Sequence, residues 1–139
     1  MWQLIYDSSL AAAFRSTAPL YAGLLAAHVV LVALLAGSSV TLVLLPQRGA
    51  TGSHAGPPRL WVAAAAAAVA AGLLPFATNP FGYVDNPVFL AKLPIVAVSI
   101  ATTWAALRRG PGALGAWLRA LVIVLWVASL GAGRLIAFF

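Results

Sequence analysis

The chain has 139 residues, of which 63% are hydrophobic and 7% charged, and its formal net charge at pH 7 is +6. With a mean hydropathy of +1.02, this composition is typical of an integral membrane protein and excludes a soluble globular domain. The basic charge does not indicate nucleic-acid binding, because most of the arginines flank apolar segments, where lipid headgroups would meet them. The absence of cysteine excludes disulfides and thiolate metal sites.

The first predicted element is a short amphipathic helix at the start of the chain. Its apolar residues recur at helical spacing, which predicts a helix lying in the membrane interface. These residues are Trp2, Ile5, Tyr6, Leu10 and Phe14. The alternative is a frayed terminus.

Four apolar segments follow, and each reaches the ~20 residues that a membrane-spanning helix needs. They are residues 19–45, 60–78, 87–107 and 116–139. The short connections predict a single all-α domain, an integral membrane four-helix up-down bundle with antiparallel neighbours. The first connection, residues 47–58, is a polar Gly/Pro-rich loop, and residues 108–112 form a tight turn.

The arginines predict the orientation of these segments. Five of them flank the two connections just described, namely Arg48, Arg59, Arg108, Arg109 and Arg119. An excess of Lys and Arg marks the cytoplasmic side. We therefore expect a multi-pass protein of the cell inner membrane or plasma membrane, with both termini and residues 78–86 outside. Arg15 is the single contrary charge.

Three ionisable residues lie inside the apolar segments: His28, Lys92 and Arg134. A charge in a membrane span costs a few kcal/mol, so such residues usually face a cavity or a partner. If Pro19 marks the outer boundary, His28 lies ~13 Å below it and the two cations ~7 to 8 Å below, at 1.5 Å per residue. The alternative for the cations is snorkelling to the headgroups. For His28 it is a hydrogen-bonded core residue.

The third segment carries a polar stripe. Helical spacing aligns Lys92, Ser99 and Thr103 on one face, which predicts an inward, polar lining. The alternative for the two hydroxyls is that each bonds the carbonyl four residues earlier in its own helix.

The first segment has two contrasting faces. Tyr21, His28 and Ser39 share one of them. The opposite face is a seam of small residues, here called the small-residue seam, made of Gly23, Ala26, Ala33 and Gly37. Small residues allow helix backbones to approach closely in lipid, so the seam predicts a helix contact.

No catalytic constellation is present in the sequence. It has no Gly-rich phosphate loop, nucleophile elbow or paired carboxylates, and Asp7 and Asp85 are its only acidic residues. We assign no catalytic residue, and carboxylate-based proton pumping is poorly supported.

Three stretches carry a resemblance that covers nearly the whole chain: SSLAAAFRSTAPLYAGLLAAH, NPVFLAK and AGRLIAF. They resemble a bacterial family of four-helix membrane proteins of unknown function. That family often has an acidic and a basic residue at the inner end of the first span, where this chain has VTLVLL at residues 40–45.

More distantly, the layout is similar to the copper-resistance D-type proteins and the J-type protoporphyrinogen oxidases. This resemblance implies a haem or porphyrin pocket, with His28 as the ligand-type histidine and Lys92 as the matching lysine. The oxidases carry a second histidine where this chain has Thr102 and Thr103.

We therefore expect haem b or another porphyrin to bind in the outer half of the bundle, with His28 as the metal ligand and the cations pairing with propionates. The predicted cofactor-binding residues are His28, Lys92, Arg134, Tyr21, Ser99 and Thr103. One alternative is a non-catalytic accessory subunit that packs against a membrane partner or a second copy. Another is copper handling, for which Met1 and the lack of cysteine supply few soft ligands.

Overall fold

The structure, a computed structural model, describes residues 2–45, 59–109 and 115–136. Within these ranges the chain is all-α and contains no strand. The helices are α1 Trp2–Tyr6, α2 Ser9–Ser16, α3 Ala18–Leu44, α4 Arg59–Thr78, α5 Pro80–Val84, α6 Pro87–Arg109 and α7 Ala116–Leu135. The predicted loop at 47–58 and most of the turn at 108–112 lie outside the described residues.

Four helices of the described ranges, α3, α4, α6 and α7, are long and apolar enough to cross a membrane. This confirms the four predicted segments; residues 137–139, at the end of the last one, lie outside the described residues. The start of α6 shows why the ends were predictable. The Asn86 side chain accepts hydrogen bonds from the Val88 and Phe89 amides at 3.0 and 3.1 Å, and Pro87 suits the first helical position.

Helices α3 and α4 contact each other in reverse order along the chain. Trp61, near the start of α4, donates to Ser39 late in α3 at 2.9 Å. Gly72, late in α4, contacts His28 nearer the start of α3. The two helices therefore run antiparallel.

Helices α6 and α7 are paired in the same way. Trp126 of α7 donates to Thr103 of α6 at 3.0 Å, while Gly133 further along α7 contacts Lys92 early in α6. Helix α3 also packs against both α6 and α7. Helix α3 therefore contacts each of the other three long helices.

The buried apolar core lies toward one end of the long helices. Its members include Trp61, Trp126, Leu35 and Leu118. Long apolar side chains also cover the outer surface, such as Leu34 and Val127, which are 61% and 63% exposed. An apolar exterior around a small core fits helices that contact lipid.

The opposite end, here called the capped end, carries α1, α2 and α5. The amino-terminal segment forms two helices and not one, because Ser8 caps α2 by accepting from the Ala11 amide at 3.3 Å. Arg15 of α2 donates to the Thr78 carbonyl at 3.2 Å and stacks 3.8 Å from the Tyr6 ring centre. The single contrary arginine therefore fastens α2 to the end of α4.

The short helix α5 was not predicted. Asn79 caps it by accepting from the Gly82 amide at 3.3 Å, and Pro80 occupies its first turn. Five residues are too few for a hydrophobic period to be recognised. Helix α5 contacts α1, α4 and α6 at the capped end.

Candidate functional site

His28 lies where α3 packs against α4. A Cβ placed on Gly72 would lie 2.9 Å from Cε1 of the imidazole, so only glycine leaves room for the ring in this position. The ring also interacts with the Ala68 backbone and with the charge of Lys92. Its Nδ1 atom is buried and has no hydrogen-bond partner in the part of the chain that the structure describes.

Lys92 enters the same region from α6. Its Nζ atom would lie 3.2 Å from a Cβ on Gly133 of α7, so a second glycine makes room for the ammonium. Lys92 is half-buried, and its ammonium makes no hydrogen bond to another residue among 2–45, 59–109 and 115–136. Both acidic residues of the sequence, Asp7 and Asp85, are exposed at the capped end. We call His28 and Lys92, with the two glycines, the unpaired site.

A third polar group without a partner lies one helical turn from this site. Ser129 is fully buried on α7, and its hydroxyl has no hydrogen-bond partner among the described residues. It precedes Gly133 by four residues, so the two share a face of α7. Buried polar atoms normally find partners, and those that do not call for an explanation.

Aromatic side chains separate the unpaired site from the capped end. Phe76 and Phe89 stack with ring centres 5.8 Å apart, and Tyr83 of α5 lies 5.0 Å from Phe89. Phe76 is one turn from Gly72, and Phe89 is one turn from Lys92. These rings therefore form a roof next to the site, and we call them the aromatic roof.

Tyr21 belongs to this roof. It is half-buried and hydrogen-bonded to Tyr83. Burial raises the pKa of the Tyr83 phenol well above its usual value, and the contact with Tyr21 raises it further. Tyr21 lies seven residues before His28 on α3, so it is about two turns nearer the capped end.

Ser99 and Thr103 are buried deeper along α6, beyond Lys92. Each hydroxyl donates to the carbonyl four residues earlier, Ser99 to Ile95 at 2.7 Å and Thr103 to Ser99 at 2.8 Å. Thr103 also accepts from Trp126. Both side chains therefore already have partners within the helices, as the alternative interpretation of the stripe expected.

Arg134 is exposed on α7, whereas the residue before it, Gly133, contacts Lys92. One residue turns a helix by ~100°, so the two residues lie on different faces of α7. The exposure of Arg134 fits an interfacial anchor.

Sequence reasoning missed Gly72 and Ser129, and it assigned Gly133 to making room for Arg134, whereas Gly133 lies beside Lys92. The available signal was a glycine within the alanine-rich α4 and a Ser129 four residues before a glycine on α7. No group of three or more His, Cys, Asp or Glu side chains that would hold a metal occurs within the described ranges. His28 is the only histidine among the described residues.

No protein-family model matches the chain, and no curated protein or solved structure matches it significantly. Its function therefore has to be inferred from the residues of the site.

Proposed function

We propose that this chain is a multi-pass membrane protein that binds haem b, or another anionic porphyrin, at His28 and Lys92. The observation that carries the proposal is the buried Nδ1 of His28, which has no hydrogen-bond partner among the described residues and lies near an ammonium that donates to none of them. Burying such groups is costly unless something completes their bonding. A ligand with a nitrogen-seeking metal and a carboxylate edge would complete both.

The residues of the unpaired site fit one side of such a ligand. His28 would hold the metal through its free nitrogen, and Lys92 would pair with a propionate. The imidazole already touches Gly72, so the ligand would have to approach from the other side of the ring. Bound haem would supply one-electron chemistry at its iron.

The aromatic roof and the glycines have supporting roles in this proposal. Gly72 keeps the imidazole close to α4, and Gly133 leaves room for the ammonium. Phe76 and Phe89 lie beside the site as an apolar wall, which would keep water from the bound group. Arg134, being exposed, has no part in holding it.

The proposed topology is a four-helix up-down bundle with the capped end outside. It is supported by the antiparallel pairs α3/α4 and α6/α7 and by the exposed Arg59, Arg108 and Arg109 at the end opposite the capped end. Lys and Arg favour the cytoplasmic side of a membrane. A protease-protection assay on tags placed at residues 52 and 112 tests this orientation.

The absorption spectrum of the purified protein before and after haem reconstitution tests the proposed function. We expect a Soret band in the wild type and in His54→Ala, which removes the other histidine of the sequence. The band should be lost in His28→Ala. A wild type without a Soret band after reconstitution, or a His28→Ala variant that keeps the wild-type band, would contradict the proposal.

A second candidate, an accessory subunit or a self-associating protein, is favoured by a different observation. The small-residue seam of α3 was expected to pack against a neighbouring helix, but all four of its residues are exposed. A Cβ on Gly23 or Gly37 would meet nothing within 4 Å. The neighbours of α3 pack elsewhere on it, so the seam is open to another membrane helix.

Size analysis in mild detergent tests this candidate. Gly37→Leu should release a bound partner or second copy, while Gly131→Leu should not. Gly131 is a suitable control because it is an exposed glycine of α7 with equally open surroundings. A wild type that is a clean monomer without a partner would count against the candidate.

A further inference from the structure

An apolar groove lies between α4 and α6, away from His28. The two helices meet through aromatic pairs near both ends of α4. Trp61 and Trp104 have ring centres 6.2 Å apart, and Phe76 stacks on Phe89. Between these contacts lies a wide, open groove of about 470 Å³ whose lining is almost entirely apolar.

The groove has the length of one lipid acyl chain. Its lining on α4 extends from Trp61 to Leu73, which is ~18 Å at 1.5 Å per residue. One leaflet of hydrocarbon is ~15 Å deep, half of the ~30 Å core of a bilayer. Small side chains such as Ala66 line the groove along α4. Leu73, at its far end, is 61% exposed.

Arginines lie at the end of the groove that is remote from the capped end. The Arg108 guanidinium lies 5.0 Å from the ring centre of Trp104, which lines the groove. Arg59 is exposed and precedes Trp61 by two residues on α4. Both acidic residues of the sequence are at the other end of the helices, so no carboxylate neutralises this charge.

We propose that the groove between α4 and α6 is a binding site for an anionic phospholipid. The acyl chain would lie along α4 between Trp61 and Leu73, and the phosphate would meet Arg59 and Arg108. An arginine fork donates two parallel hydrogen bonds to phosphate oxygens. The match between an apolar channel one leaflet deep and a cationic mouth favours a lipid over a second protein helix, which would need no charge at that position.

Native mass spectrometry of the full chain tests the proposal. The purified protein is mixed with equal amounts of phosphatidylglycerol and phosphatidylcholine with identical acyl chains, and the ratio of the two bound lipids is measured. We expect the wild type to retain phosphatidylglycerol preferentially. Arg108→Gln should lower the ratio about fivefold, the effect of one arginine near an anionic surface.

Two matched controls make the test specific to the groove. Arg109→Gln removes the same charge from the next residue of α6, which does not stack on Trp104, and should leave the ratio nearly unchanged. Ala66→Phe should fill the groove and lower the amount of both lipids. Ala67→Phe should not, because Ala67 is exposed but does not line the groove.

Three results would overturn the proposal. The first is equal retention of the two lipids by the wild type. The second is an equal loss in Arg108→Gln and Arg109→Gln, which would indicate diffuse surface charge. The third is a dimer that Ala66→Phe dissociates without changing bound lipid, which would make a second copy the occupant. If Ala66→Phe fails to fold, the arginine pair decides alone.

Discussion

Two groups of polar side chains between the helices of this chain differ in their hydrogen bonding. The tryptophan and hydroxyl pairs, Trp61 with Ser39 and Trp126 with Thr103, are complete, because each indole donates to a hydroxyl that itself donates within its helix. The unpaired site lies between the same helices, and His28 and Lys92 are half-buried. Its imidazole nitrogen and its ammonium nevertheless have no hydrogen-bond partner among the described residues.

This difference in hydrogen bonding indicates a different role for each group. A buried polar group that only supports the fold is expected to have its partners within the fold. One that lacks them costs stability, and such costs are typical of functional sites. The paired groups should therefore act on stability alone, whereas the unpaired site should act on binding at the expense of stability.

The largest expected effect is a loss of stability when one of the tryptophan and hydroxyl pairs is broken. Trp126 is 1% exposed, so Trp126→Ala would leave a cavity and deprive Thr103 of its donor. We expect a loss of about 3 kcal/mol or more in the free energy of unfolding. Trp117→Ala, at a site 68% exposed on the same helix, should change it by less than about 0.5 kcal/mol. Equal losses in denaturant titrations of the two variants would contradict the assignment.

The next largest effect is a loss of haem affinity when the unpaired site is changed. A Cβ in Gly72→Ala would meet the His28 ring at 2.9 Å and displace it. We expect haem affinity to fall about tenfold, or about 1.4 kcal/mol. Stability should change little, because the ring ends a flexible side chain and alanine favours the helix by about 1 kcal/mol over glycine. Gly131→Ala, which has open surroundings, is the control, and equal haem titrations of the two variants would refute this role.

Mutations in the two groups should also change the free energy of unfolding in opposite directions. Lys92→Met should raise the stability of the ligand-free protein by about 1 kcal/mol, because it removes a half-buried charge that has no acceptor. Thr103→Val should lower it by about 1 kcal/mol, because it breaks a hydrogen bond that is made. Denaturant titration in the absence of haem measures both. If both variants are destabilised, the ammonium has a partner and the site is not unpaired.

The smallest expected effect concerns the aromatic roof. The pKa of Tyr83 is raised by burial and by Tyr21, while an unfolded tyrosine titrates near pH 10. Its contribution to stability is therefore complete below pH 10 and is lost as the pH rises from there toward the folded pKa. Thermal unfolding of Tyr83→Phe should depend less on pH above 10 than that of the wild type. An unchanged slope would place the titrating group elsewhere.

The four long helices could be predicted from the sequence because length and hydropathy alone define them. The start of α6 was also predictable, since Asn86 and Pro87 give local signals that do not depend on the fold. The break at Ser8 and the five-residue helix α5 were not, because both are shorter than a recognisable hydrophobic period.

The candidate site was predicted only in part. His28 lies near enough to Lys92 to feel its charge, and depth along the helices was enough to suggest that. Arg134 is exposed, and one residue of helix rotation separates it from the Gly133 that faces the lysine. The depth of a residue along a helix can be counted from the sequence. The rotation of that helix about its own axis is fixed by packing against other helices.

The small-residue seam of α3 is a second case in which the sequence did not predict which face of a helix is packed. Its glycines and alanines indicated a helix contact, yet within the chain they face outward. Small residues permit close packing but do not specify which helix provides it.

The most direct test of the difference between the two groups is a nitrogen NMR spectrum of protein labelled with ¹⁵N-histidine, recorded with and without zinc protoporphyrin. His54→Ala protein leaves His28 as the sole histidine of the sequence, so the signals are unambiguous. We predict that the Nδ1 resonance of His28 shifts on addition of the porphyrin, because this nitrogen is the one without a partner. An Nδ1 resonance that stays unchanged at saturating porphyrin would contradict the assignment of the unpaired site as the binding site.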